Sequence, residues 1–249
     1  MPSPYEGLTE EEWLVKTKEL ISCHPLDVET IKQIAFKSWK TLWSTTIGEG
    51  KLSINLSELD VPATVVGYFF EKLFAKELER QQPHLWRAGK NKEDKDIVCI
   101  PNNLYSVEIK SSGQLGEKVF GNRSYGQNIE NTELLKKEKS GYYITVNFYR
   151  QDLHLLRFGW IDHSDWKAQK AATGQAASLS ESVYTYKLIK IEGDYRLNAP
   201  IRVLKGVGSQ ISQLCAEEGV LNVRDLKNYH GSNAKILKLN ETLKKMDFS

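Results

Sequence analysis

Cysteine is scarce in this chain: Cys23, Cys99 and Cys215 are the only three. They are odd in number, far apart and without pair spacing, which argues against a disulfide framework or a zinc cluster and for a reducing cytoplasm. Long apolar runs are missing too, since none approaches the roughly 20 residues that cross a bilayer. The opening text "MPSPYEGLTEEEW" is polar and acidic, so no signal peptide and no membrane partner are expected. Nor is there an excess of one charge. The formal net charge is +2, so any surface for nucleic acid must be local. Tandem repeats and low-complexity tracts are likewise absent. What remains is an ordinary globular composition, 40% hydrophobic and 27% charged over 249 residues. That length allows one sizeable core, or a main domain with a small appendage.

The first 80 residues read as largely helical. "LTEEEWLVKTKELISC" opens with Thr9 and Glu12 at capping-box spacing, and Trp13, Leu14, Val15, Leu20 and Ile21 supply apolar positions. "DVETIKQIAFKSWKTLW" (27–43) places Ile31, Ile34, Ala35 and Trp39 along one face, and a third helix is expected from Pro62 to about Gln81. "TTIGEGKLSINLSELD" connects the last two. From Asp96 the period changes. "DIVCI" and "LYSVEIK" are short strands around the turn signal "PNN". "GYYITVNFYRQDLHLLRFGWI" reads as two long neighbouring strands joined near Arg150 to Asp152, "KAATGQAASLSES" as a loop, and "VYTYKLIKI" as a further strand. After residue 200 two helix-like runs flank "EEGV". The pattern gives an α/β fold with a mixed-sheet core over 1–200 and a small helical module over 201–249.

The text "DKDIVCIPNNLYSVEIKSSG" (94–113) carries the chemistry. If residues 96–100 and 104–110 pair antiparallel around Asn102, Asp96 lies opposite Glu108, with Cβ atoms about 4.5–5.5 Å apart. Lys110 shares that face, while Val107 and Ile109 point to a core. Two carboxylates so placed repel unless a cation compensates, and Mg²⁺ takes oxygen ligands, water and substrate phosphate. The Ile109 carbonyl is a natural extra ligand. A lysine on the same face can position or activate water and offset charge growing on a phosphate. The same spacing also fits a solvated strand face, where ion pairs contribute little.

Asp96, followed by Glu108-Ile109-Lys110, resembles the PD-(D/E)xK nuclease signature. Lys95 stands where that signature has proline, and Asp94 is a rival for the first acid. "VEIKSSGQLGEKVFGNRSYGQ" together with "LRFGWIDHSDW" is similar to type II restriction endonucleases, nearest those that cut short palindromes with blunt ends. The resemblance spans roughly residues 60 to 190. It implies a restriction-endonuclease-like core, a central mixed β-sheet flanked by helices. It also implies a metal held by Asp96 and Glu108, Mg²⁺ with Mn²⁺ able to substitute, and a lysine acting on water. Such proteins often carry a glutamate on the helix before the sheet, and Glu71 is the match here, ahead of Glu77 and Glu79. A solvated helix glutamate is the competing reading of that position.

After the catalytic strand, Ser111, Ser112, Gln114, Lys118, Asn122, Arg123, Tyr125 and Gln127 suit phosphates or base edges, with Arg123 first for direct readout. Glycines at 113, 116, 121 and 126 let backbone follow a groove. His163 between Asp162 and Asp165 has no matching ligand pair, and Trp160 and Trp166 are expected to pack on the sheet. "LKGVGSQISQLCAEEGVLNVRDLKNY" resembles a helix-hairpin-helix element. Its turn, Lys205-Gly206-Val207-Gly208, followed by Ser209 and Gln210, would aim backbone N–H groups at a phosphate. A structural helical hairpin completing a dimer interface fits as well. Lys235, Lys238, Lys244 and Lys245 make the tail basic.

These features give a type II site-specific deoxyribonuclease acting on double-stranded DNA, as a homodimer if the target is a palindrome, in a prokaryotic cytoplasm. A structure-selective repair or junction nuclease, and a DNA-binding protein without catalysis, are the two alternatives.

Overall fold

The structure, a computed structural model, describes residues 2–122, 139–168 and 176–244. Helix α1 (Glu10–Ser22) starts where Thr9 donates both its N–H and its hydroxyl to the Glu12 carboxylate, at 2.8 and 2.9 Å. Helix α2 (Val28–Trp43) begins at Asp27, whose side chain accepts from the Thr30 amide. Its expected stripe of Ile31, Ile34, Ala35 and Trp39 is buried. Val15, expected on the apolar face of α1, is instead 72% exposed, and Thr17 takes the buried place by bonding Tyr5 and the Tyr186 carbonyl. A small ribbon, β1 (Thr46–Ile47) with β2 (Ile54–Asn55), leads into α3 (Ala63–Gln81), which buries Phe70, Phe74 and Leu78.

The central sheet has six strands. In chain order they are β3 (Trp86–Ala88), β4 (Ile97–Cys99), β5 (Val107–Ser112), β7 (Gly141–Tyr149), β8 (Asp152–Ile161) and β11 (Leu188–Lys190). Their spatial order is β11-β8-β7-β5-β4-β3. Only the β5–β7 pair is parallel, so the sheet is mixed. Helices α2 and α3 cover one face, where Ile109, Ile144 and Phe158 meet Ile34, Phe70 and Phe74. On the other face lies a second sheet of β6 (Phe120–Asn122), β9 (Lys167–Ala168) and β10 (Ala176–Ser178), around a core containing Val119, Tyr143, Ala177 and Tyr184. The architecture is an α/β fold with a mixed sheet flanked by helices.

Two expectations need correction, and one strand has no counterpart in the sequence reading. Residues 183–187 do not extend the final strand but form a π-helical turn, which brings Val183, Tyr184 and Lys187 inward together. Residues 176–178, read as loop, pair with both β6 and β9. Strand β3 carries no long β-branched run to announce it, yet Trp86 and Ala88 are buried on alternate positions. Beyond residue 197 a separate apolar cluster joins Leu197, Leu204, Val207, Cys215, Val223, Leu226 and Ile236. Three helices build it: α4 (Ser209–Glu217), α5 (Val223–Lys227) and α6 (Ala234–Leu243).

Two histidines are buried, and His24 ties the segment after α1 to the turn before β5. The Leu26 amide donates to Nδ1 of His24, and the opposite nitrogen donates to the Tyr105 carbonyl, each at 3.0 Å. Aromatic rings of Trp86, Tyr105, Tyr142 and Phe158 surround it. His154 is 1% exposed on β8. Burial pushes both rings down to about 4, and the Arg157 charge adds to the effect on His154. The unfolded chain therefore takes up protons that the folded chain refuses as pH falls from about 6.5 to 4. Stability is expected to be full above that window and to drop by on the order of 3 kcal/mol per ring across it. Urea unfolding at pH 7 and pH 5 measures this, and His154→Leu should remove about half of the fall between them.

Candidate active site

The hairpin that carries the acids is built by its own polar residues. Asn102 accepts from the Leu104 amide, at 3.0 Å. Ser106, fully buried, donates to Asn103 at 2.7 Å and accepts the Cys99 amide at 3.0 Å. Those side-chain bonds substitute for ladder bonds where the chain turns, and they fix the pairing register. Ile97 is opposite Val107, and one step outward in the same register Asp96 is opposite Glu108. The Asp96 carboxylate accepts the Ile109 amide at 2.8 Å.

Glu108 is 4% exposed and faces away from α2 and α3, as does Lys110. The Lys110 ammonium lies 2.6 Å from Glu108 Oε1 and 3.3 Å from the Ile109 carbonyl. Burial opposes its charge, but the carboxylates of Glu108 and Asp96 outweigh that and hold its pKa above the ordinary lysine value. The three signature groups thus converge. Two oxygens expected to face a metal, Glu108 Oε1 and the Ile109 carbonyl, already face one cationic group. With Asp96 they form a hard, all-oxygen donor set, the chemistry that suits Mg²⁺. Among the described residues no group of three or more His, Cys, Asp and Glu side chains is placed to hold a metal ion. Mg²⁺ sites need no such cluster, because water and substrate phosphate complete them.

Asp94, the rival first acid, has other work. Arg87 grips it twice, at 2.8 and 3.2 Å, and the amides of Lys90 and Asn91 donate to it. The Arg87 guanidinium holds its carboxyl well below the usual range. Glu71 lies half-buried on α3, one turn beyond Gly67, and pairs with Lys72 at 3.0 Å. Burial works against the Lys72 charge, yet Glu71 and the field of Asp96 raise its pKa. That end of the Glu71–Lys72 pair therefore feels the acidic hairpin.

The expected DNA contacts separate into groups. Ser111 is half-buried with Gly67 of α3 close above it, and Ser112 is 7% exposed. Gln114, Lys118 and Asn122 are exposed. Arg123, Tyr125 and Gln127 lie outside the described residues, as does Lys245. Lys205, Gly206, Gly208, Ser209 and Gln210 gather at one exposed turn anchored by buried Val207, and Gly206 has φ of +87°. The turn precedes α4, but before it stands a single 3-10 turn, Ile201–Val203. Pro200 and the extended pairing of residues 199–201 with 221–223 keep that side from forming an α-helix.

The Asp162–His163–Asp165 text resolves into a different device, which sequence reading missed. Buried Lys187 donates to Asp162 Oδ2 and to both oxygens of Asp165, each at 2.9 Å. The signal was present only as an isolated lysine in an apolar run. No helix among the described residues is long and apolar enough to cross a membrane.

Residues 3–192 match the family model described as ScaI restriction endonuclease. The type II restriction enzyme ScaI of Streptomyces caespitosus is 36% identical over 197 residues, which covers 76% of this chain and 84% of that enzyme. No solved structure matches the chain.

Proposed function

The chain belongs to the ScaI restriction endonuclease family, and from that premise we propose that it is a type II site-specific deoxyribonuclease of the prokaryotic cytoplasm. Its substrate is double-stranded DNA carrying a short palindrome. The observation that carries the proposal is the convergence of Asp96, Glu108 and Lys110 at one end of β4 and β5.

In this reading Asp96, Glu108 and the Ile109 carbonyl hold Mg²⁺, for which Mn²⁺ can substitute. When bound, the ion polarises the phosphoryl group and lowers the pKa of water. Glu108 also fixes Lys110, so that the ammonium stays close to the place where an attacking water must sit. Lys110 orients that water and counters negative charge gathering on the phosphate oxygens. Glu71 keeps Lys72 paired until a backbone phosphate offers a competing anion. Gln114, Asn122 and the residues following them meet the DNA next to the scissile bond. The Gly206–Gly208 turn, with Lys205, Ser209 and Gln210, grips the duplex backbone without reading sequence. Residues 1–200 are the nuclease and 201–249 an appended module. A palindrome has two-fold symmetry, so two copies place one centre on each strand.

The test is incubation of purified protein with long duplex DNA and Mg²⁺, followed by mapping of both strand ends. Cuts at one fixed sequence, abolished by a chelator and restored by Mg²⁺ or Mn²⁺, are expected. Cutting that follows branches or flaps instead would transfer the same centre to a junction nuclease. Tight binding without any cleavage would leave a DNA-binding protein.

A further inference from the structure

Residues 113–119 leave the catalytic strand and cross the sheet without regular structure of their own, yet their backbone is held from beneath at three consecutive residues. Arg157 on β8 donates Nη1 to the Glu117 carbonyl at 3.1 Å, and its Nη2 reaches the Glu117 carboxylate at 3.3 Å. Asn147 on β7 donates to the Lys118 carbonyl at 3.2 Å and accepts Arg157 Nη1 at 3.0 Å. The Tyr184 hydroxyl accepts the Val119 amide at 2.9 Å and donates back to the Val119 carbonyl at 3.2 Å. The Arg157 guanidinium lies 5.1 Å from the centre of the Tyr184 ring. All three side chains are buried, Asn147 completely.

A buried guanidinium is costly, and an apolar side chain would fill this space with less penalty. What an apolar side chain cannot do is fix the direction of a main-chain carbonyl. With the carbonyls of 117 and 118 drawn inward, the side chains of Gln114 and Lys118 are exposed, and Asn122 follows on β6. The clamp is also in register with the chemistry, since Lys110 pairs across the parallel ladder with Thr145, and Thr145 with Arg157.

We infer that Arg157, Asn147 and Tyr184 form a backbone clamp that sets the position of residues 114–122 against DNA and thereby governs sequence discrimination. None of the three touches the DNA; they are positioning residues. The inference deepens the nuclease reading and rests on it for its substrate.

The test compares wild type with Tyr184→Phe, Arg157→Lys and Arg157→Leu on a duplex carrying the mapped cut site and on duplexes with one base pair of it changed. Tyr184→Phe strands the amide and carbonyl of a buried residue, so KM for the mapped duplex should rise on the order of 10-fold. The preference for the mapped over the altered duplex should fall by a similar factor, about 10-fold, with kcat at saturation within about 3-fold of wild type. Arg157→Lys keeps a buried donor and should retain more discrimination than Arg157→Leu. Folded variants that keep wild-type discrimination, or that lose kcat equally on every duplex at unchanged KM, would overturn the clamp. Amide hydrogen exchange at Val119 decides the matter without catalysis. It should be slow in wild type and at least about 10-fold faster in Tyr184→Phe, with β7 unchanged. If the wild type cuts no DNA, the nuclease reading falls, while unaltered Val119 exchange in the variant would sink the clamp alone.

Discussion

Lys110→Ala is expected to cut the mapped duplex about 10² to 10⁴ times more slowly than wild type, the range for removal of a positioned acid–base group. The ammonium is 2.6 Å from Glu108 Oε1 and its charge is sustained by two carboxylates, so alanine removes the cation that Glu108 and Asp96 hold at this end of the hairpin. Asp96→Ala should lose activity on the same scale. Asp94→Asn is the discriminating control. Its side chain serves Arg87 and two amides in the preceding turn, so cleavage should stay within about 10-fold of wild type, despite some loss of stability. Single-turnover rates at saturating Mg²⁺, beside melting curves for each protein, measure this. Equal rates for Lys110→Ala and wild type would remove the hairpin from the chemistry.

Lys187→Met should produce the largest loss of stability of any single change considered. The ammonium is 3% exposed and lies between Asp162 and Asp165, with the rings of Tyr5 and Trp13 at 4.4 and 4.3 Å. Burial, with a smaller contribution from the Asp162 charge, raises the Asp165 carboxyl, and Lys187 works against both. Methionine keeps the stem and deletes the charge, which leaves two carboxylates facing each other in an apolar layer. Breaking such a buried set costs about 3–5 kcal/mol. In a chain of this size that corresponds to a melting temperature lower by roughly 10 °C. Adding Asp165→Asn should recover part of the loss, because the remaining repulsion disappears. Asp162 also receives Ser3 and the Trp160 indole, so the amino-terminal segment should loosen with it, visible as faster proteolysis near Tyr5.

Both expectations bear on what the sequence could reveal. The acidic hairpin was legible because short-range rules determine it. A "PNN" turn fixes the register, and period-two alternation then assigns Val107 and Ile109 to the core and Glu108 and Lys110 to the opposite face. Helix α2 and the β7–β8 hairpin were legible for the same reason. Arg150 at φ +54° turns the chain where the apolar pattern broke. The Lys187 cage was not legible, since its partners lie 22 and 25 positions away and only the fold brings them together. The π-helical turn buries Lys187 together with Val183 and Tyr184. The clamp was hidden too, because its buried Arg157 lies in a strand that otherwise reads as apolar. Ser111 directly follows the signature, and the third helix packs close above it, which the sequence does not announce.

That close packing has a consequence for tolerance. A Cβ added at Gly67 would stand 2.2 Å from the Ser111 hydroxyl and 3.4 Å from its Cβ, so even alanine requires that hydroxyl to turn aside. Helix and strand thus share one datum, and Glu71 is gauged directly from the strand that bears Glu108. A branched or aromatic residue at 67 would meet Ser111 beyond its hydroxyl and shift Glu71 against the strand, and a misplacement of about an ångström can cost an enzyme 10²-fold.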